Sequence, residues 1–248
     1  MAEQHTDSGP VHLTNEEVIT YRIGYQPDPF AWTPWQYADN GRFDGRWDDL
    51  HARFRTLYVA DQLLGCLLEV LAVFRPDPAL AAELAAIDDN DHAEEHHPTA
   101  VAGTLPRSWL THRRAGQALM TGVFADVRAP ITIATLRTRH GDLAQRLGLP
   151  DLDAAAIKTA EPRRLTQTIA SWLYDQTPPL GGVCFASRHG DTLTLYALFE
   201  QPNQHTSGPA NLRHQQVISL TEATPELQEA MQIHQLRWGS SLSSSTKL

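Results

Sequence analysis

The sequence predicts an α+β fold: a single domain with a mixed or antiparallel β core flanked by helices. Three observations lead there. Strand-like segments stand near both ends of the chain, EEVITYRIG and TLYVA early and GGVCFASR and DTLTLYALFE late, and helical patterns fill the space between them. No repeat of solenoid period occurs. At 248 residues the chain is long enough to bury a sizeable core, and its two cysteines supply no disulfide framework.

Taken in order, residues 1–14 and 239–248 are polar and aperiodic and are expected to be loose tails around a folded body of 15–238. EEVITYRIG has strand composition. The following PDPFAWTPWQYADNGRFDGRWDD is rich in Pro, Gly, Asp and Trp and longer than a plain connection needs, which hints at function. TLYVA is a second strand. DQLLGCLLEVLAVF is a helix with Asp61 as its expected N-cap and Pro76 beyond its end, and ALAAELAAI is a further alanine-rich helix. DDNDHAEEHHP reads as a solvated acidic connection. ITIATLRTR has strand composition, GDLAQRLGL and RRLTQTIASWLYDQ are amphipathic helices, and the last two strands flank a turn at His189 and Gly190.

Composition narrows the function. A formal charge of −9 disfavours a general polyanion binder while leaving room for a small anion held by local arginines. The N-terminus has no basic stretch followed by an apolar one, and no run of eighteen apolar residues occurs, so a cytoplasmic protein is expected. Cys66 and Cys184 sit among apolar residues and read as small core hydrophobes.

One residue stands out. From Leu63 to Phe74 the chain is apolar on every helical face and carries a single charge, Glu69. A helix of that kind is normally buried, so the carboxylate reaches out to water, pairs inside, or lines a cavity. Its neighbours three and four residues away are Gly65, Cys66, Ala72 and Val73, none of which pairs with an anion. Small residues at Gly65, Cys66 and Ala72 leave space for an approaching group.

Two other patterns invite chemistry. Arg-His-Gly-Asp occurs at 139–142 and again at 188–191, and after a strand it is similar to the phosphoryl-accepting loop of histidine phosphatases, although a His-Gly turn needs no chemistry. His92, His96 and His97 have partial metal-ligand spacing, yet lie between acidic residues and Pro98. No glycine fingerprint for a dinucleotide in a redox role is present.

The order YRIG, then NGRFD, then LYVADQLLGCLLEVLAVFRP, with GGVCFASRHGD late in the chain, resembles the RES domain, a family named for an arginine, a glutamate and a serine. The resemblance covers most of 17–200. It implies a fold similar to ADP-ribosyltransferases and a toxin of a toxin–antitoxin pair that destroys NAD⁺ by phosphorolysis or hydrolysis at the nicotinamide–ribose bond. NAD⁺ is then a substrate and no cofactor is needed. An Xre-type antitoxin is the implied partner.

Carried over by residue, it implies Glu69, Arg22 and Ser187 as catalytic, with Arg42 and Tyr58 binding substrate. Arginine forks match phosphate oxygens, and a fixed carboxylate suits a cationic ribose, provided a nearby arginine offsets its burial. Two departures are visible: Asp44 stands where the family has Asn, and about 130 residues separate Tyr58 from Ser187, which implies an insertion near 77–130. The competing expectation is a binding module with the same fold and no turnover.

Overall fold

The computed structural model of the chain describes residues 2–6, 9–76, 102–202 and 207–239. It opens on a hairpin of β1 (Ala2–Thr6) and β2 (Gly9–Tyr25), paired from Ala2↔Leu13 to Thr6↔Gly9. Residues 9–14, expected in a loose tail, are therefore part of a long strand. Val11, only 1% exposed, anchors them, and from Leu13 onward a second ladder holds the other edge. A short polar-looking segment becomes a strand when its backbone groups find ladder partners.

The chain continues through β3 (Thr56–Ala60), α1 (Leu63–Leu71) with a 3₁₀ turn at Ala72–Phe74, β4 (Thr104–Leu105), α2 (Ser108–His112) and β5 (Arg113–Asp126). Then come α3 (Pro130–Arg146), α4 (Ala154–Thr159), α5 (Arg163–Tyr174), β6 (Gly182–Ser187), β7 (Gly190–Phe199), β8 (Leu212–Ile218), α6 (Pro225–Ile233) and β9 (Arg237–Trp238).

Three expectations are corrected. ITIATLRTR is helical: Pro130 opens α3, and Thr132, Thr135, Leu136, His140 and Ala144 are buried at helical spacing, so period outweighs β-branched composition. The proposed insertion ends too late, because residues 113–126 form β5, a central strand. Asp61 is not the cap of α1; Gln62 occupies that position, and Asp61 instead accepts the Thr194 N–H at 3.2 Å. ALAAELAAI and His92, His96 and His97 lie outside the described residues.

Seven strands form one mixed sheet in the order β1-β2-β3-β7-β6-β5-β8, and β2 also pairs β5. That extra pairing closes β2, β3, β7, β6 and β5 into a ring. The β5–β6 pair is parallel and the other pairs in the sheet are antiparallel. The joints differ greatly in strength: β2 and β5 pair continuously from Leu13↔Ala125 to Tyr25↔Arg113, whereas β2 and β3 meet only at Tyr21↔Ala60.

Helix α1 packs beside this weak joint. It buries Leu63, Gly65, Cys66, Leu67, Leu68 and Leu71, each large apolar side chain stabilising by about 1.5–3 kcal/mol. A Cβ on Gly65 would stand 3.3 Å from that of Ala60, so the small residue there brings the helix close to the sheet. Among the described residues no helix is long and apolar enough to cross a membrane.

Candidate active site

Glu69 projects from α1 into a cavity of about 390 Å³, with its side chain 31% exposed. Of the three fates open to this carboxylate, lining a cavity is the one observed. Oε1 accepts a 2.6 Å hydrogen bond from the Ser187 hydroxyl, and Ser187 Oγ in turn accepts the His189 N–H at 3.0 Å. The β6–β7 ladder shifts register between Ala186 and Ser187, which turns the serine toward α1. Ser187 is fully buried and does not line the cavity. It stands behind the carboxylate and donates to it, so its expected catalytic part would act through Glu69.

Arg22 and Tyr58 both line the cavity, and both are committed to the protein itself. With β2 and β3 joined at one position, the Tyr58 carbonyl would lack a strand partner; Arg22 supplies it, donating from Nη1 at 3.0 Å and from Nε to the Pro29 carbonyl at 2.7 Å. Arg22 thus braces the joint with two of its five donors. Burial lowers its pKa to about 10, which leaves it cationic at neutral pH. The Tyr58 hydroxyl accepts the Trp47 N–H at 2.8 Å and lies 3.5 Å from Asp48 Oδ1. Burial, followed by the adjacent Asp48, pushes that phenol well above its ordinary range, so it stays protonated.

Arg42 is not in this cavity. It is exposed and lines a neighbouring depression with Asp44, Leu50, Arg163, Arg164 and Gln167. The loop contains the Gly-Arg-aromatic triplet twice, at 41–43 and at 45–47, and the second is the one whose arginine shares the cavity with Glu69. Arg46 lines the cavity, lies 4.7 Å from the Phe185 ring centroid, and donates Nη2 to the Ile157 carbonyl. Burial lowers its pKa to about 10 while the Glu69 charge opposes that fall. Gly45 separates the triplets: a Cβ there would stand 2.8 Å from the Tyr58 hydroxyl and 2.5 Å from Asp48, whereas a Cβ on Gly41 meets nothing within 4 Å. Only the second glycine is required by the packing around the site.

Residues 19–119 match the family model of the RES domain. Over that stretch the chain is similar to the RES domain family. No curated protein and no solved structure matches the chain. The match spans Arg22, Arg46, Tyr58 and Glu69 and ends before Ser187, which is tied to those residues by its bond to Glu69.

The cavity is cationic although the chain is anionic. Arg22, Arg46, Lys158, Arg163 and Arg188 face it, against Glu69 and Glu161. Lys158 pairs with Asp191, and Arg163 donates to the Asp44 carbonyl. Phe185, Val59, Val70 and Leu195 supply apolar wall. Cys66 is free, donates to the Tyr21 carbonyl at 2.9 Å, and has its pKa pushed up to about 12 by burial, so its sulfur is an inert part of the lining.

The phosphatase expectation at 139–142 fails because Arg139, His140 and Gly141 lie within α3. His140 is buried edge-on against Trp172, with its pKa lowered to about 4 by burial and then by Arg139. A phosphoryl-accepting histidine needs a loop after a strand, and a helix interior offers none. Trp32 and Trp47 are core residues, while Trp35 is partly exposed and tilts against Phe43 at 5.4 Å.

Proposed function

We propose that the protein consumes NAD⁺ by breaking the nicotinamide–ribose bond. The observation that carries this reading is the Glu69 carboxylate, held by a buried serine at the edge of a cavity walled mainly by cations and apolar side chains. When nicotinamide leaves, the bonding pair goes with its nitrogen and the anomeric carbon becomes cationic. A fixed anion beside that carbon stabilises the charge as it develops, as glycosidase carboxylates do.

The other residues fit supporting roles. Arg46 and Arg188 present cationic donors suited to the pyrophosphate or to an attacking inorganic phosphate. The Tyr58 and Phe185 rings offer flat surfaces for nicotinamide. About 390 Å³ is within the range of small-molecule sites and suits the nicotinamide riboside half, with the adenylate toward Arg163 and the adjoining depression. The role as the toxin of a toxin–antitoxin pair, neutralised by an Xre-type partner in the cytoplasm, is what the resemblance to the RES family implies and belongs to the same proposal.

The test is nicotinamide release from NAD⁺ by the purified protein, with and without phosphate. Release that requires phosphate identifies phosphorolysis, and release without it identifies hydrolysis. Glu69→Gln should abolish either and leave the domain folded. A folded wild-type protein that releases no nicotinamide but binds NAD⁺ in calorimetry would instead be a binding module.

A further inference from the structure

His189 lies two residues beyond Ser187 and, like it, is not part of the cavity wall. Its side chain is 8% exposed, with Nε2 4.0 Å from Glu69 Oε2. That nitrogen is buried and makes no hydrogen bond among the described residues, an uncommon condition for a buried polar atom. The same residue reaches the other carboxylate oxygen through its backbone, because its N–H holds Ser187 Oγ, which donates to Oε1. One residue therefore addresses both oxygens of Glu69.

The ring is fixed from behind. It meets the His234 ring edge-on at 5.1 Å, and His234 Nε2 lies 2.8 Å from the carbonyl oxygen of Leu68, the residue preceding Glu69. Four ionisable groups act on His189: Glu69 on α1, Arg75 beyond it, the adjacent Arg188, and His234 after α6. Burial, His234 and the two arginines favour the neutral ring, and Glu69 favours the protonated one, the balance being a pKa below the ordinary histidine value.

We propose that His189 is a positioning residue for Glu69: as a neutral ring it leaves Oε2 available to the cavity, and on gaining a proton it draws Oε2 into an ion pair. A 4.0 Å separation is longer than a hydrogen bond, and closing it by ~1 Å makes the pair. The protonated state removes the anion on which the proposed chemistry depends, so the consequence for turnover rests on that reading. The contact between His189 and Glu69 does not.

The experiment has two arms on the full chain. In the first, histidine ring carbon–proton NMR spectra are followed from about pH 4 to 8 in wild type and Glu69→Gln, with His189→Gln assigning the signal. His189 should titrate below ordinary histidine in wild type and lower still, by about 0.5 unit or more, once the neighbouring anion is gone. An unchanged midpoint in Glu69→Gln overturns the proposal.

In the second arm, the pH profile of kcat/KM for nicotinamide release is compared between wild type and His189→Gln. The substitution should flatten the acidic limb, where a protonated His189 would withdraw Oε2 from the cavity. Persistence of that limb overturns the proposal. Should His189→Gln fail to fold, His189→Asn serves the same comparison. If wild type releases no nicotinamide, the proposed function fails, and the titration arm still decides the pairing.

Discussion

Replacing Ser187 by alanine removes one oxygen from a site closed to solvent, and two bonds go with it. The first is the 2.6 Å donation to Glu69 Oε1; hydrogen bonds to charged groups are worth about 1.5–3 kcal/mol. If that amount is used to hold the carboxylate against the developing ribosyl cation, its loss lowers kcat/KM for nicotinamide release by about 10- to 150-fold. The second is the His189 N–H, which loses its acceptor. Leaving that donor unpaired costs about 1–3 kcal/mol of stability, or roughly 2–10 °C in Tm for a chain of this size. The assay is nicotinamide release under steady-state conditions well below the variant's Tm, paired with a thermal melt. A folded Ser187→Ala protein with kcat/KM within twofold of wild type would refute the argument that the serine orients Glu69. So would an activity loss that merely tracks the unfolded fraction.

Arg22→Ala removes the donor that completes the Tyr58 and Pro29 carbonyls, and should cost about 2–4 kcal/mol in urea unfolding. A loss under about 0.5 kcal/mol would show that the guanidinium does not brace the joint. Arg46→Ala should lower kcat/KM for nicotinamide release by about 10- to 100-fold, whereas Arg42→Ala should change it by less than about threefold. The reverse order would restore the first Gly-Arg-aromatic triplet as the functional one.

What was legible in the sequence depended on whether its signal was local. Strands β3, β6 and β7 and helix α1 carry their own apolar runs, and their positions follow from them. Strand β5 does not: Gly116, Gln117, Thr121 and Gly122 interrupt its alternation, and its identity comes from pairing with β2 about a hundred residues away. Gly116 is itself dictated by that distant packing, since a Cβ would come within 2.4 Å of Phe30. Helix α3 was obscured by its threonines and isoleucines, which turn out to keep helical spacing. At the site, periodicity marked Glu69 as anomalous, and resemblance selected Arg22, Tyr58 and Ser187. Arg46 was visible in the repeated triplet, but choosing between two copies required the space around Gly45. That the Ser187 hydroxyl meets the back of Glu69 and not the cavity was not legible, because which way a hydroxyl faces is a matter of tertiary burial.

The bracing of the β2–β3 joint by Arg22 separates two properties usually counted together. A cation on a wall contributes potential through its charge, and grip only through donors still free. Arg22 has given two donors to backbone carbonyls, Lys158 pairs with Asp191, and Arg46 and Arg163 each hold a main-chain oxygen. Arg188 alone of the five makes no hydrogen bond or ion pair among the described residues. The wall therefore offers an anion less grip than its charge count suggests, because part of its donor set is already committed to holding the protein together.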